Sequence, residues 1–270
     1  MAASDRLFAG AIPQIYDRLL VPLIFEPYAR DMAERVARLG AREVLETAAG
    51  TGVLTRAMAA RLPGHVRIVA TDLNQPMLDQ AAARQGVDAR ISWQQADAQA
   101  LPMADASFDA VVCQFGVMFL PDKTKGYREA RRVLRAGGQL LFNVWDRIAD
   151  NEFADAVTEA LATAFPDDPP RFLARTPHGY CDPDRIRQEL AAAGFGTVAI
   201  EPLEALSRAP SPREPAIAFC QGTPLRNEIE ARDASRLSEA TDRAAEALAA
   251  RFGSGPIEGR IRALIVSAAR

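Results

Sequence analysis

Short segments rich in β-forming residues alternate with segments of helical period between residues 43 and 145. The predicted strands are residues 43–48, 66–72, 89–95, 108–115 and 139–145. Helical patterns fill three of the gaps, and each one stops at a Pro-Gly or Gly signal; they are residues 51–61, 75–85 and 124–134. Strands that are separated by helices pair in parallel, because a parallel connection needs a long crossover. This alternation predicts an α/β fold with a parallel sheet covered by helices.

Further elements flank this region. Residues 12–39 predict one or two helices that are interrupted near Pro22 and Pro27. After residue 146, helices are predicted at residues 151–165 and 183–193, and strands are predicted at residues 196–206 and 259–270. The Ala-rich segment 234–252 is amphipathic, which favours a helix that packs as a lid over the sheet's edge; a coiled-coil partner helix is the alternative.

Composition and charge exclude several classes of function. The chain has 270 residues, of which 49% are hydrophobic and 25% are charged, and its net charge of -3 gives no general attraction for nucleic acid. Three cysteines and two histidines (Cys113, Cys181, Cys220, His65 and His178) disfavour a disulfide scaffold and a metal site. No run approaches the roughly 20 apolar residues of a membrane span, and the N-terminus is not typical of a secretory signal. A cytoplasmic location without a membrane span is therefore expected.

The segment VLETAAGTG, residues 44–52, combines an acid with a turn made of small residues. Backbone N–H groups at the start of the following helix can face a ligand only where no side chain intrudes, which indicates a nucleotide-like ligand at the carboxyl end of the sheet. Glu46 would repel a pyrophosphate but attract an ammonium group. The third glycine of the dinucleotide fingerprint is also missing. Both features argue against a nicotinamide dinucleotide.

Two more acids follow predicted strands. Asp72 ends the second strand, where a carboxylate can accept hydrogen bonds from both ribose hydroxyls. Asp97 follows the third strand and could accept a hydrogen bond from an adenine amine. Met77 could cover the ring face, although a place in the helix core explains it equally well.

Taken together, these motifs resemble the class I S-adenosylmethionine-dependent methyltransferases, in the small-molecule subgroup that includes the ubiquinone and menaquinone biosynthesis methylases. The matching segments lie within about residues 12–146 and are VLETAAGTG, ATDLNQPML, DAQALPMADASFDAVVCQFGVMF and LRAGGQLLFNVWD. The resemblance implies S-adenosylmethionine as cofactor and a Rossmann-like, doubly wound, seven-stranded sheet whose last strand is antiparallel, with an N-terminal and an inserted helical lid. It implies a helical cap at residues 1–40, a cofactor-binding core at residues 41–146, and the remaining strands and lid insertions at residues 147–270, as one structural unit with the core.

The same resemblance places the cofactor against residues at four strand ends. With Met77 included as the residue expected to cover the adenine, these are Glu46, Ala48, Gly50, Gly52, Asp72, Leu73, Met77, Asp97, Ala98 and Gln114. Two residues depart from the family's common pattern. Ala48 stands where glycine is commonest, which is tolerable if its φ is negative. Ala136 stands where proline is usual, which loosens a turn.

The predicted function is methyl transfer to a small-molecule acceptor, with an oxygen, nitrogen or carbon nucleophile left open. The alternatives are a non-catalytic protein that binds S-adenosylmethionine and an NAD-type oxidoreductase. No catalytic residue is assigned; His178 and Tyr16 are candidates near the reacting groups, and structural roles remain open for both. Trp145 and Asp146 end the fifth strand on the side where substrate is expected. A lipidic or aromatic acceptor is favoured, and the oligomeric state is left open.

Overall fold

The computed structural model describes residue 8, residue 10 and residues 12–270. Seven strands form a single sheet in the order β3-β2-β1-β4-β5-β7-β6. They are β1 Glu43–Glu46, β2 Arg67–Asp72, β3 Ile91–Gln95, β4 Phe108–Gln114, β5 Leu134–Trp145, β6 Val198–Ala209 and β7 Ile257–Ala269.

The helices account for most of the remaining chain. In chain order they are α1 Ile12–Ile15, α2 Glu26–Leu39, α3 Val53–Arg61, α4 Gln75–Gln85, α5 Lys123–Val133, α6 Glu152–Ala164, α7 Phe172–Arg175, α8 Pro183–Ala192, α9 Arg213–Gln221, α10 Leu225–Asp233 and α11 Leu237–Phe252. Each helix predicted after residue 40 is present with ends shifted by no more than a few residues. None of the helices in residues 12–270 combines the length and apolarity that crossing a bilayer requires.

The N-terminal helical region differs from the prediction. A π-helix, Tyr16–Phe25, connects α1 directly to α2, so the chain stays helical through both prolines. Pro22 lies inside the π-helix, and Pro27 is the second residue of α2. A proline in the first turn is tolerated because the N–H that it lacks would have no intrahelical partner there. The interruptions predicted near Pro22 and Pro27 are therefore wrong.

Strand β5 also begins earlier than predicted. The helix before it ends at Val133, and the strand starts at Leu134 instead of residue 139. The register with β4 shifts between Phe108 and Ala110, which leaves extra β5 residues in a bulge where Gly137 has a φ of 79°. A bulge accommodates residues that a regular ladder cannot pair. The Gly-Gly pair thus bends a strand and does not end a helix.

The central strands pair in parallel. Strand β1 lies between β2 and β4, with Glu46 opposite Ala70 on one side and Val112 on the other. Strands β2 and β3, and β4 and β5, are also parallel. Every β4 residue from Ala110 onward is buried, as expected of a strand covered on both faces. The seven-stranded sheet with an antiparallel last strand confirms the predicted fold.

The chain divides into two compact units. Unit 1 comprises the described residues up to Phe25, Trp145–Tyr180 and Leu203–Ala263; unit 2 comprises Glu26–Val144, Cys181–Pro202 and Leu264–Arg270. In unit 2, helices α2 and α3 pack on the strands through a core that includes Met32, Val36, Val44, Leu54 and Met58. In unit 1, α11 packs against α6 and α9.

Candidate active site

Four parallel strands in unit 2 end in or next to predicted site residues. Strand β1 ends at Glu46, β2 at Asp72 and β4 at Gln114, while Asp97 lies two residues beyond the end of β3. These strands are neighbours in the order β3-β2-β1-β4. Because parallel strands present their carboxyl ends at one edge, the fold brings the four polar residues to a common edge of the sheet.

The turn after β1 is hydrogen-bonded to its surroundings. The N–H of Gly50 donates to Asp72 Oδ2 at 2.9 Å, and the N–H of Ala49 donates to the carbonyl of Thr71 at 2.8 Å. The N–H groups of Thr47 and Gly52 also donate to carbonyl oxygens of the protein. These four amides are therefore occupied by acceptors of the protein, because a buried loop must satisfy its N–H groups. The first turn of α3 still offers the N–H groups that lack intrahelical partners.

Ala48 has a positive φ, so the condition under which alanine was expected to be tolerated in place of glycine, a negative φ, is not met. The value is 53°, in the left-handed region, as are those of Gly50 (56°) and Gly52 (78°). A left-handed alanine costs roughly 1–2 kcal/mol, because its Cβ crowds the following carbonyl oxygen. The loop also runs close to the end of β4, since a Cβ on Gly116 would clash with the Ala48 Cβ. Phe115, just after β4, has a φ of 51°. Backbone strain is thus concentrated at this edge, as is common at functional sites.

Glu46 is the most deeply buried acid at this edge, with 1% of its surface exposed. The hydroxyl of Thr55 donates to its Oε2 at 2.6 Å. Burial raises the pKa of Glu46 to about 8, and the Thr55 hydrogen bond and the Arg56 charge oppose that shift only in part. A nearby cation favours the ionised form of a carboxyl group. Glu46 is therefore a group that gains strongly from a cationic partner.

Asp72 is held by the backbone of two loops. Its Oδ1 accepts the N–H of Asn74 at 2.8 Å, and its Oδ2 accepts the N–H of Gly50. Burial raises its pKa, whereas these hydrogen bonds act to lower it. A carboxylate offers about four acceptor sites, so both oxygens can accept further hydrogen bonds. Next to it, Leu73 is 41% exposed, an apolar surface that a ligand ring could cover.

The remaining predicted residues lie around the same loops. Met77 is 3% exposed, and its Cε lies 3.6 Å from the position of a Cβ built on Gly50. Ala98 lines a small cavity together with Thr47 and other residues of unit 2. The Oδ1 of Asp97 accepts the N–H of Gln99 at 2.8 Å, which fixes the carboxylate locally. These positions suit the predicted cofactor site.

Two supporting residues were not predicted from the sequence. Asn143 on β5 is fully buried, and its Oδ1 accepts the N–H of Phe115 at 2.9 Å, which stabilises the left-handed turn. Thr55 on α3 donates to Glu46. The amide within the apolar run QLLFNVW is a detectable signal, because a polar residue in a strand buried on both faces needs a partner. Nothing marks Thr55, since a threonine in a helix is ordinary.

Unit 1 contains the candidates for the acceptor side. The rings of Tyr16 and Phe25 stack with centroids 5.2 Å apart, Phe25 and Trp145 are 5.8 Å apart, and Trp145 and His178 are 6.0 Å apart. We refer to these four residues as the aromatic row. The fold of unit 1 thus assembles Tyr16, Trp145 and His178, which lie far apart in the sequence.

His178 is poorly suited to proton abstraction. It is buried, and its Nδ1 lies 2.8 Å from the carbonyl oxygen of Asp146. Burial lowers the pKa of His178 to about 4, with the Asp146 hydrogen bond as a smaller opposing effect. A general base works best with a pKa near the working pH. Tyr16 is half-buried and stacked on Phe25, so its ring has a packing role as well.

Comparison with known proteins identifies the family. The domain family described as "Methyltransferase domain" matches residues 44–138. Demethylmenaquinone methyltransferase of Deinococcus radiodurans is 31% identical over 212 residues, which cover 72% of this chain and 86% of that protein. The chain belongs to the class I S-adenosylmethionine-dependent methyltransferases.

Other similar proteins agree with this assignment. A ubiquinone/menaquinone biosynthesis C-methyltransferase of Escherichia coli is 32% identical over 176 residues, 57% of this chain and 66% of the relative. The crystal structure of the YcgJ protein from Bacillus subtilis matches with a TM-score of 0.57 at 17% identity and covers 90% of this chain and 98% of its own. That structure supports the fold.

The family assignment confirms several predictions. The protein is an enzyme that transfers a methyl group from S-adenosylmethionine to a small molecule. Buried acids at adjacent strand ends, an exposed leucine beside one of them and the absence of a third glycine in the first loop fit this cofactor. The alternatives of a non-catalytic binding protein and an NAD-type oxidoreductase are not supported.

Proposed function

We propose that the strand-end residues of unit 2 hold S-adenosylmethionine, with Glu46 pairing with its ammonium group and Asp72 accepting from its ribose hydroxyls. The burial of Glu46 supports the first assignment, because a buried acid gains most from a cationic neighbour. The two backbone hydrogen bonds that orient Asp72 support the second. Leu73 and Met77 supply apolar surface for the adenine, and Asp97 accepts from its amine.

The remaining predicted residues complete this proposed site. Gly50 and Gly52 allow the left-handed turn, and Ala48 adopts the same conformation at a cost. Gln114 ends β4, and Ala98 lies three residues beyond the end of β3. The N–H groups at the start of α3 would hold the carboxylate of the amino-acid tail.

We further propose that the methyl acceptor is a hydroxylated aromatic molecule. The aromatic row supports this proposal, because its rings pack in one cluster and aromatic rings favour stacked and tilted contacts with a further ring. The names of the similar enzymes point the same way, since both refer to a quinone. Methyl transfer depends on aligning the nucleophile with the methyl carbon and on excluding water. A cluster of apolar rings would help with both requirements.

A binding test followed by a turnover test examines this function. S-Adenosylhomocysteine should raise the melting temperature of the protein, and NADH should not. The protein should then convert S-adenosylmethionine to S-adenosylhomocysteine with a reduced 2-prenyl-1,4-naphthoquinone as acceptor, and not with ethanolamine. Turnover with ethanolamine alone would refute the aromatic acceptor.

Matched variants locate the acceptor side. Trp145→Leu should raise the KM for the naphthoquinol. Phe165→Leu is the control, because Phe165 is an equally buried ring of unit 1 that contacts Arg236 and lies outside the aromatic row. Equal effects of the two substitutions would argue against an acceptor role for Trp145.

The expectations of a cytoplasmic location, of no nucleic-acid partner and of a cap-core-lid division at residues 40 and 146 stay predictions. They rest on composition and on the family pattern.

A further inference from the structure

His178 is held in one protonation form and one orientation. Its Nδ1 lies 2.8 Å from the carbonyl oxygen of Asp146. A carbonyl oxygen only accepts hydrogen bonds, so Nδ1 carries the hydrogen and donates. In a neutral imidazole, the other nitrogen, Nε2, then holds a lone pair and can only accept.

The partner of His178 is itself fixed. The carboxylate of Asp146 pairs with Arg262, with Oδ2 and Nε 3.0 Å apart, and it also accepts the N–H of Arg147 at 2.8 Å. The Nδ2 of Asn151 lies 3.4 Å from the same carbonyl oxygen that His178 contacts. These contacts hold Asp146 at both its side chain and its carbonyl group, and the hydrogen bond to that carbonyl orients the imidazole ring.

The Nε2 atom has an unused acceptor site. It makes no hydrogen bond to the part of the chain that the structure describes, although the side chain is only 8% exposed. The ring lies beside Trp145, with their planes tilted by 37°. A ligand that covers Nε2 must supply a hydrogen-bond donor, because a polar atom buried without a partner costs roughly 1–3 kcal/mol.

We propose that His178 Nε2 accepts a hydrogen bond from a hydroxyl group of the aromatic acceptor, and that it thereby selects acceptors carrying a donor next to the ring. This inference rests on the proposed aromatic acceptor. His178 is then a specificity-determining residue that binds the acceptor and takes no proton. Burial keeps the ring neutral, with a pKa of about 4, so the acceptor site on Nε2 is present throughout the neutral pH range. A site built to pair with a hydroxyl discriminates against an analogue that lacks it.

The test compares two probes that differ in one hydrogen-bond donor. Binding of 2-naphthol and of 2-methoxynaphthalene is measured by calorimetry with saturating S-adenosylhomocysteine. The wild-type protein should prefer 2-naphthol by at least about tenfold, the effect of one unpaired buried polar atom. His178→Phe keeps a ring but removes the lone pair, so it should bind both probes alike. His65→Phe is the matched control, because His65 is exposed, and it should behave as the wild type.

A second variant distinguishes the loss of the hydrogen bond to the ligand from a loss of folding. His178→Gln keeps an acceptor oxygen near the position of Nε2 and should retain part of the preference for 2-naphthol. An undiminished preference in His178→Phe, or no preference in the wild type, would overturn the role of His178 and leave the aromatic acceptor standing. Failure of both probes to bind the wild type, with S-adenosylhomocysteine bound, would overturn the aromatic acceptor as well.

Discussion

Replacing Glu46 by Gln should remove the pH dependence of cofactor binding below pH 8. Glu46 has a pKa of about 8, so its carboxyl group keeps its proton at pH 6 and pH 7 in the free enzyme. In the proposed site the ammonium group of the cofactor pairs with the ionised form of Glu46, so that binding must release that proton. Affinity should rise about tenfold between pH 6 and pH 7, or about 1.4 kcal/mol. The affinity should level off near pH 8 for two reasons. Glu46 is then ionised in the free enzyme as well, and the α-amino group of the ligand begins to lose its charge at about this pH.

Calorimetry with S-adenosylhomocysteine measures both parts of this prediction. In buffers of different ionisation enthalpy at pH 7, the wild type should release close to one proton per ligand bound. Glu46→Gln should release almost none, bind more weakly at pH 8 and show a flat profile from pH 6 to 7. The control is Glu43→Gln, at the opposite end of β1, which should keep the wild-type profile. A full pH slope in Glu46→Gln would refute the ammonium pairing.

The same pKa has a consequence for the stability of the ligand-free protein. Glu46 binds its proton more tightly in the folded protein than in the unfolded chain, because its folded pKa of about 8 lies above the ordinary value of 4.5. Its contribution to stability therefore declines as the pH rises from about 4.5 to about 8. Glu46→Gln should lack this decline when unfolding by urea is measured across that range.

Two further substitutions test the cofactor edge. Asp72→Asn should weaken binding of S-adenosylhomocysteine by about 30-fold, because the two proposed charge-assisted hydrogen bonds to ribose become neutral ones, each about 1 kcal/mol weaker. Calorimetry measures the affinity, and Asp79→Asn on the exposed face of α4 is the control. An unchanged affinity in Asp72→Asn would show that the ribose lies elsewhere. Gly52→Ala should destabilise the protein by about 2 kcal/mol in urea unfolding, because φ is 78° and the new Cβ would lie 2.9 Å from Trp93 Cη2. Gly64→Ala, whose Cβ would meet nothing within 4 Å, should be close to neutral, and equal effects of the two would refute the packing argument.

Much of the fold can be predicted from the sequence because its signals are local. Helix α4 begins at Gln75 and ends at Gln85 as predicted, since apolar periodicity and Gly86 mark it within a few residues. The prediction fails where one local signal has two structural meanings. Pro22 marks a change of helix type and not a break, and the glycines at 137 and 138 mark a bulge and not a helix end.

The sequence by itself determined which residues stand at the ends of the parallel strands. The order of strands and helices along the chain dictates which ends share an edge, so the sequence was enough to group Glu46, Asp72 and Asp97, and the family resemblance added Gln114. Only the tertiary structure decided how deeply Glu46 is buried, that Ala48 is left-handed, and that Tyr16, Phe25, Trp145 and His178 form the aromatic row. Burial and contacts between distant segments depend on how the whole chain packs, and such contacts leave no period or spacing in the sequence.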